Sequence, residues 1–399
     1  MKCELLAPAK DLHKAKTAIR YGADAVYIGG KDYSLRSRAS NFTEEDMQEA
    51  VRFAHEHGAR LYVTVNIVFH DEDLYGVREY LQRLESYGVD AVIIESLGLL
   101  QIGKKAAPKL EYHISTQLSS LNSASVAMLK EMGADRVVLG RETSMEQIEA
   151  IAENSDLPLE VFIHGGMCAN YSGRCTLSNH LTLRDANRGG CAQSCRWHYH
   201  LCKDGEELSP EDDLFSMGST DLMAVPYVER MKKAGIASLK IEGRMKSDYY
   251  IAAVVKTYRD LLDEIERFGT PDEERIHVYE KELAKAQNRR FGCGFLDGAI
   301  DETRQLYKEG EGAAHDYVGY VLSYDPETHW AEVSTRNVFD LHEQLEILRP
   351  QGSNIRFQNT LMKDGEGNEL IHVRRPNETI QVYIPFAVEA HSMLRKVRS

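Results

Sequence analysis

The chain has 399 residues, 43% hydrophobic and 28% charged, and its 62 Asp and Glu against 48 Lys and Arg give a formal net charge of -14. This is enough apolar sequence for one large core and a second, smaller domain, and the acidic balance excludes nonspecific nucleic-acid binding spread over the whole surface. The N-terminus, MKCELLAPAKDLHKAK, meets charge too early for a signal-peptide core or a membrane span, so a cytoplasmic protein with no membrane partner is expected.

The first 245 residues repeat one theme: a helix that ends in glycine, a few residues, then a short apolar run. It recurs as YGADAVYIGG, HGARLYVTVN, YGVDAVIIES, MGADRVVLGR and AGIASLKIEG, with the stops at Gly22, Gly58, Gly88, Gly133 and Gly235. Glycine suits the left-handed residue just past a helix end. With ELLAPA, EYHISTQLS and LEVFIHG the strands number eight, and runs such as Ala91–Ile94 suit strands covered by helices on both faces. Eight alternations predict an α/β fold, a (β/α)8 TIM-like barrel; an open doubly wound sheet has the same local pattern.

In a barrel the chemistry belongs where strands end. Those positions are Pro8, Gly29, Gly30, Asn66, Glu95, Gln117, Arg141, Glu142, His164, Glu242 and Arg244. Of these, His164, Arg141, Arg244 and Glu242 are the candidate catalytic residues; for His164 a packed strand-end histidine is the alternative. Between strands 7 and 8 lies an insertion of about 75 residues, far longer than an ordinary connection, held over the barrel mouth because it follows the strand ending at His164.

From residue 246 the pattern turns helical through YYIAAVVKTYRDLLDEIERF and EERIHVYEKELAKAQN. Beyond a Gly-rich stretch near GEGAAH it becomes short alternating strands, YVGYVLSYD, HWAEVSTRN, EQLEILRP, IRFQNTLMKD, LIHVRRP and TIQVYIP, separated by turn signals. The expected division is a barrel over residues 1–250 with the insertion at 165–235, a helical connector over 251–310 and a small β-barrel over 311–399. From residue 331 onward nine basic residues balance nine acidic ones, so the -14 resides in residues 1–330. Arg374, Arg375, Arg395, Lys396 and Arg398 near the end offer either a basic face for RNA or an ordinary solvated surface.

Four of the seven cysteines fall within the insertion, Cys168, Cys175, Cys191 and Cys195, spaced C-x6-C-x15-C-x3-C. In a reducing compartment such clustering points to a metal centre before disulfides. Four thiolates suit a tetrahedral zinc or a [4Fe-4S] cluster. Zinc knuckles are usually built from C-x2-C pairs, which are missing here, so iron–sulfur is the leading expectation, with zinc the alternative and Cys202 a reserve ligand in place of Cys195. HEHG at 55–58 is not a zinc-protease signature, and no G-x-S-x-G elbow or Walker loop is present.

The segment LEVFIHGGMCANYSGRCTLSNHLTLRDANRGGCAQSCRW resembles the signature of the U32 collagenase-like peptidase family, and ELLAPA, YGADAVYIG, STQLS, RVVLGRE, SLKIEGRMKS and NRRFGCGFLDG follow the same order. The resemblance extends over essentially the whole chain. It implies a hydroxylase that works without oxygen and carries a [4Fe-4S] cluster on Cys168, Cys175, Cys191 and Cys195. The double cysteine of CAQSC followed by Arg196 and Trp197, with the appended β-domain, resembles the family's tRNA-hydroxylation branch. That branch forms 5-hydroxyuridine at the wobble position of tRNA with prephenate as hydroxyl donor. It implies a tRNA anticodon loop, a small-molecule donor and a paralogous family member as partners, Arg141, Arg244 or Arg174 as candidates for pairing the donor's carboxylates, and the C-terminal domain as an RNA-docking module. The alternatives are a U32-type peptidase, or a hydroxylase of ribosomal RNA or of a ubiquinone precursor.

Overall fold

A computed structural model describes residues 3–35, 42–209, 214–286, 289–298, 305–306 and 317–397. Eight parallel strands, β1 (Glu4–Pro8), β2 (Ala25–Gly29), β3 (Arg60–Val65), β4 (Ala91–Ile94), β5 (Glu111–Ile114), β6 (Arg136–Val138), β7 (Leu159–Gly165) and β8 (Ser238–Ile241), pair in that order. The ring closes because β8 pairs with both β7 and β1. This is the (β/α)8 barrel, and closure removes the open-sheet alternative. The five helix-stop glycines all take left-handed backbone, with φ between 71° at Gly58 and 104° at Gly22. Helix starts are equally local in origin: Asp11 caps α1 (Leu12–Arg20), and Thr43 with Asp46 forms a capping box on α2 (Glu44–Glu56).

Strand alternation divides the apolar residues between two cores. Leu5, Ala7, Val26, Ile28, Leu61 and Val63 face the helices, while Leu6, Ala25, Tyr27, Tyr62, Ala91 and Ile93 fill the interior. Towards the N-terminal end of the strands the interior becomes ionic. Arg136 Nη1 donates to Glu4 Oε1 at 2.6 Å and Glu160 Oε2 at 3.2 Å, Lys240 Nζ to Glu160 Oε1 at 2.7 Å, and Tyr62 Oη to Glu4 Oε2 at 2.6 Å. Burial alone would raise the Glu160 carboxyl, but Lys240 and Arg136 outweigh it and hold it at about 2.

The segment expected as a helical connector is divided. Helix α9 (Asp248–Phe268) packs against β1 and α1 as the eighth helix of the barrel. Its run from Tyr249 to Tyr258 is buried on every side because the C-terminal domain covers its outer face, where Tyr249 stacks on Tyr317 at 4.9 Å. Helix α10 (Glu273–Ala284) lies against α9. Among the described residues no helix is long and apolar enough to cross a membrane.

The C-terminal domain is an antiparallel sheet of seven strands curled as a half-barrel. In chain order these are β9 (Tyr317–Tyr324), β10 (Trp330–Thr335), β11 (Gln344–Leu348), β12 (Ile355–Gln358), β13 (Met362–Lys363), β14 (Thr379–Tyr383) and β15 (Met393–Lys396), arranged β12-β11-β15-β9-β10-β14-β13. The interior strand β15 has no counterpart among the expected strands, because MLRK reads as a charged tail. Arg395 is 1% exposed and joins the two domains: Nε donates to Glu346 at 2.7 Å, Nη2 to Glu282 at 2.5 Å and Nη1 to Tyr249 Oη at 3.3 Å. It therefore leaves the expected basic face. Lys396 pairs with Glu343 at 3.1 Å, while Arg398 and the GEGAAH stretch lie outside the described residues.

Burial alone would raise Glu346, yet Arg395, Arg356 and Lys285 hold it at about 2. Its stabilising contribution is complete above the ordinary carboxyl value and is lost as pH falls towards about 2. We expect Arg395→Met to cost about 3–5 kcal/mol at pH 7, since the buried Glu346 and the partly exposed Glu282 lose the cation they share. In urea titrations the gap from the parent should narrow as pH falls below about 4, where the variant's Glu346 takes up a proton. An undiminished gap at low pH would assign the loss to packing alone.

Candidate metal centre at the barrel mouth

The insertion begins with a turn that only glycine accommodates. Gly165 has φ 103°, and a Cβ there would sit 2.3 Å from the Glu242 carbonyl oxygen of the neighbouring strand end. The returning segment Asp221–Met223 then pairs antiparallel to β7, with Leu222 opposite Gly165 and Met223 opposite His164, and carries Phe291–Gly292 on its other side. Both ends of the cysteine-bearing excursion are thereby stitched to the C-terminal end of β7.

Several strand-end residues anticipated as a reaction site hold the insertion down. Arg141 Nη1 donates to the Gly166 carbonyl at 2.6 Å while its guanidinium lies 4.3 Å from the Phe162 ring centre. Glu142 accepts from the Ser172 amide at 2.6 Å, and Glu95 from Arg174 Nη2 at 2.9 Å. Burial raises the Glu95 carboxyl, against the opposing pull of Arg174. Arg188 donates to the Val68 carbonyl at 2.8 Å and pairs with Asp73. Asn66 and Gln117 bond each other, with Asn66 Nδ2 donating to Gln117 Oε1 at 3.0 Å.

Arg244 lies deeper, 7% exposed, with Nη1 donating to Ser34 Oγ at 3.0 Å and Thr64 Oγ1 at 3.2 Å. Gly29 leaves it room, since a Cβ there would fall 2.2 Å from Arg244 Nη2. Glu242 accepts from Tyr27 Oη at 3.2 Å.

Cys168, Cys191 and Cys175 lie within electrostatic reach of Cys195: burial pushes the Cys195 thiol up, those three cysteines add to that, and Arg196 opposes it. Cys202 lies exposed on the hairpin Cys202–Lys203/Glu206–Glu207, and Cys191 is exposed as well. Cys175 is buried and clamped through its backbone, its amide donating to Asn187 Oδ1 at 3.0 Å and its carbonyl accepting from Asn187 Nδ2 at 3.0 Å. The Asn170 amide points at Cys168 Sγ at 3.4 Å. Gln193, between the last two cysteines, takes left-handed backbone with φ 58°, a strain of about 1–3 kcal/mol that the surrounding contacts must hold in place. Among the described residues the ligand atoms that converge within 4.8 Å are those of His70, Glu72 and Asp73, not the cysteine sulfurs; Asp73 of that exposed trio is already committed to Arg188.

His164 is 1% exposed, ringed by Tyr250, Tyr258 and Phe291 at centroid distances of 5.8, 5.5 and 5.1 Å. Tyr258 gives its proton to the Ile163 carbonyl at 3.0 Å, so the contact of 3.3 Å between His164 Nδ1 and Tyr258 Oη requires the imidazole to donate. Nε2 is left without a hydrogen bond. Burial, with Lys246 adding, lowers this imidazole to about 3. The placement matches the packed strand-end histidine and not an acid–base group at the mouth. Residues that sequence reasoning did not assign to the site are Asp221, which with Arg196 lies beside Gly166, and Lys246 and Arg289, which pair with Asp221. Arg196, Lys246 and Arg289 belong to the quoted segments, but a lone charge in a loop carries no signal until the fold groups it with others.

A histidine-selective ¹⁵N NMR titration should find His164 neutral from pH 8 down to the loss of the fold. The unfolded chain's imidazole takes a proton below about 6.5 and the folded one does not, so this residue lowers stability as pH falls through that value. A native-state midpoint near 6.5 would contradict the enclosure.

Comparison with known proteins agrees with this arrangement along the chain. Residues 10–306 match Peptidase family U32, and residues 313–395 match the Peptidase family U32 C-terminal domain. The chain is 41% identical over 404 aligned positions to tRNA hydroxylation protein P1 of Bacillus subtilis, covering 99% of this chain and 95% of the relative. It is 32% identical to tRNA hydroxylation protein P of Escherichia coli, covering 98% and 96% respectively. The 23S rRNA 5-hydroxycytidine C2501 synthase of Escherichia coli is 41% identical across 66% of this chain and 40% of its own length. With both parts matched in order, the chain belongs to peptidase family U32.

Proposed function

We propose that this protein is an iron–sulfur-dependent tRNA hydroxylase that forms 5-hydroxyuridine at the wobble position with prephenate as the hydroxyl donor. The observation that carries the reading is that Cys168, Cys175 and Cys191 lie within electrostatic reach of Cys195 on the insertion that follows β7, in a chain related over nearly its whole length to proteins named for tRNA hydroxylation. Four thiolates are the donor set that a [4Fe-4S] cluster takes, one for each iron; they would also satisfy a tetrahedral zinc, and iron and sulfide content distinguishes the two. When bound, such a cluster would supply electron-transfer chemistry and a Lewis-acidic iron for the donor.

The chain's own residues hold and orient. Arg141, Glu142 and Glu95 fix the cysteine loop, Arg244 and Glu242 brace the mouth beneath it, and buried neutral His164 packs the end of β7. The RNA would meet the insertion first. Between residues 165 and 200 the sequence has Arg174, Arg184, Arg188 and Arg196 against the single acid Asp185, a local reversal of the chain's -14. Tyr171 and Trp197 are 58% and 45% exposed there. Exposed rings stack bases splayed from a single-stranded loop, and arginines hold the phosphates between them. The C-terminal domain, fastened through Arg395, is the candidate second docking surface.

Deletion of the gene should remove 5-hydroxyuridine derivatives from tRNA nucleosides, read by mass spectrometry. Unchanged tRNA alongside a lost 5-hydroxycytidine in ribosomal RNA would move the substrate to rRNA, and no change in either would sink the RNA reading. Protein purified without oxygen should be coloured and contain iron and sulfide. Cys195→Ser should lose most of the broad visible absorption, whereas Cys202→Ser should retain it; the reverse pattern would make Cys202 the fourth ligand.

A further inference from the structure

Beside the cysteines lies a group of charges that the docking of the insertion leaves over. Asp221 is 1% exposed at the start of the returning segment. Lys246 Nζ lies 3.6 Å from its Oδ2 and Arg289 Nη1 3.4 Å from its Oδ1, on side chains 22% and 30% exposed. A third cation, Arg196, lies in the field of Arg289, Asp221, Cys195 and Cys168. Its Nη2 donates to the Met167 carbonyl at 3.1 Å, while Nη1 is buried with no hydrogen bond. The floor of the group is Gly166, where a Cβ would fall 3.7 Å from Arg196 Nη2 and 3.9 Å from Asp221 Oδ1.

The pairings on Asp221 are longer than the tightest ion pairs of this protein, 2.7 Å at Lys240–Glu160 and 2.5 Å at Arg395–Glu282, which lie in the range of charge-assisted bonds; they resemble the secondary contact of Lys285 with Glu346 at 3.6 Å. Lys246 and Arg289 share one carboxylate at these longer distances and are partly open to solvent, and among the described residues Arg196 Nη1 has no hydrogen-bond acceptor. The strand-end arginines are differently occupied: Arg174 on Glu95, Arg141 on the Gly166 carbonyl, and Arg244 on Ser34 and Thr64.

We propose that Arg196, Lys246 and Arg289, positioned by Asp221 over Gly166, form the subsite that binds a carboxylate of a small anionic co-substrate next to the cysteine centre. The identity of that co-substrate rests on the reading under Proposed function; the existence of the subsite does not. Arg196 stands in the field of both the thiols and Asp221. Lys246 and Arg289, each paired with Asp221, are the residues whose loss discriminates between carboxylate binding and simple compensation of thiolate charge.

The test uses the full chain purified without oxygen, as the parent and as Lys246→Met and Arg289→Gln. Calorimetric titrations are run with prephenate and with malonate, a plain dicarboxylate, alongside iron content and tRNA affinity by filter binding. The subsite requires each variant to bind prephenate at least about tenfold more weakly, the loss of one charge-assisted contact, with iron and tRNA affinity unchanged. If malonate binds the parent and is lost in the variants while prephenate binds neither, the subsite stands and the donor named under Proposed function is wrong. Carboxylate affinity unchanged by the substitutions, or no carboxylate bound by the parent, overturns the proposal. So does loss of iron alone, which assigns the cations to the thiolates, or loss of tRNA affinity alone, which assigns them to phosphates.

Discussion

The close approach of the β7 exit to the end of β8 governs everything above the barrel. The carbonyl of Glu242 stands where any side chain on residue 165 would have to go, so the chain can leave β7 there only through a glycine in left-handed conformation. That turn directs the next residues across the mouth instead of down the outside of the barrel. The Gly166 and Met167 carbonyls are then presented to Arg141 and Arg196, and Cys168 follows directly. With the start of the insertion fixed, its return through Asp221–Met223 is registered against Gly165 and His164, and the cysteine excursion is anchored at both ends.

The polar residues around the rim follow from this. A cysteine loop with little regular structure cannot bury its own polar groups or hold left-handed residues such as Ser172 and Gln193 by itself. Glu95, Arg141, Glu142 and Asn187 supply those bonds. The same economy operates at the base of the barrel and at the domain junction, where Glu160 and Glu346 are each fully engaged by opposing charges. Against that background, Asp221 differs in that its two cations stand 3.6 and 3.4 Å away and are partly open to solvent.

How far these features are legible in the sequence depends on the range of the interaction that makes them. The helix-stop glycines and the Thr43 capping box act within one turn of chain, and the structure has them where the pattern puts them. The eight strands are legible because both of their faces are covered, which leaves near-continuous apolar runs. Strand β15 is not, because Arg395 reads as a surface charge until Glu346 and Glu282, 49 and 113 residues away, surround it. Helix α9 reads as a connector because its association with the barrel depends on packing against α1 and β1, which no local period encodes. His164 stands at a strand end like its neighbours, and only the rings of Tyr250, Tyr258 and Phe291 enclose it.

The sequence by itself determined the alternation of helix and strand, the length of the insertion and the spacing of its cysteines, since each is written in consecutive residues and local backbone preference. Tertiary structure alone decided which rim residues are consumed in docking the loop and which cations meet at Asp221. Those are outcomes of competition among charges brought together from segments as distant as Gly166, Asp221, Lys246 and Arg289. Coulomb attraction and burial act through space, and no reading along the chain can tell which partner takes a given arginine.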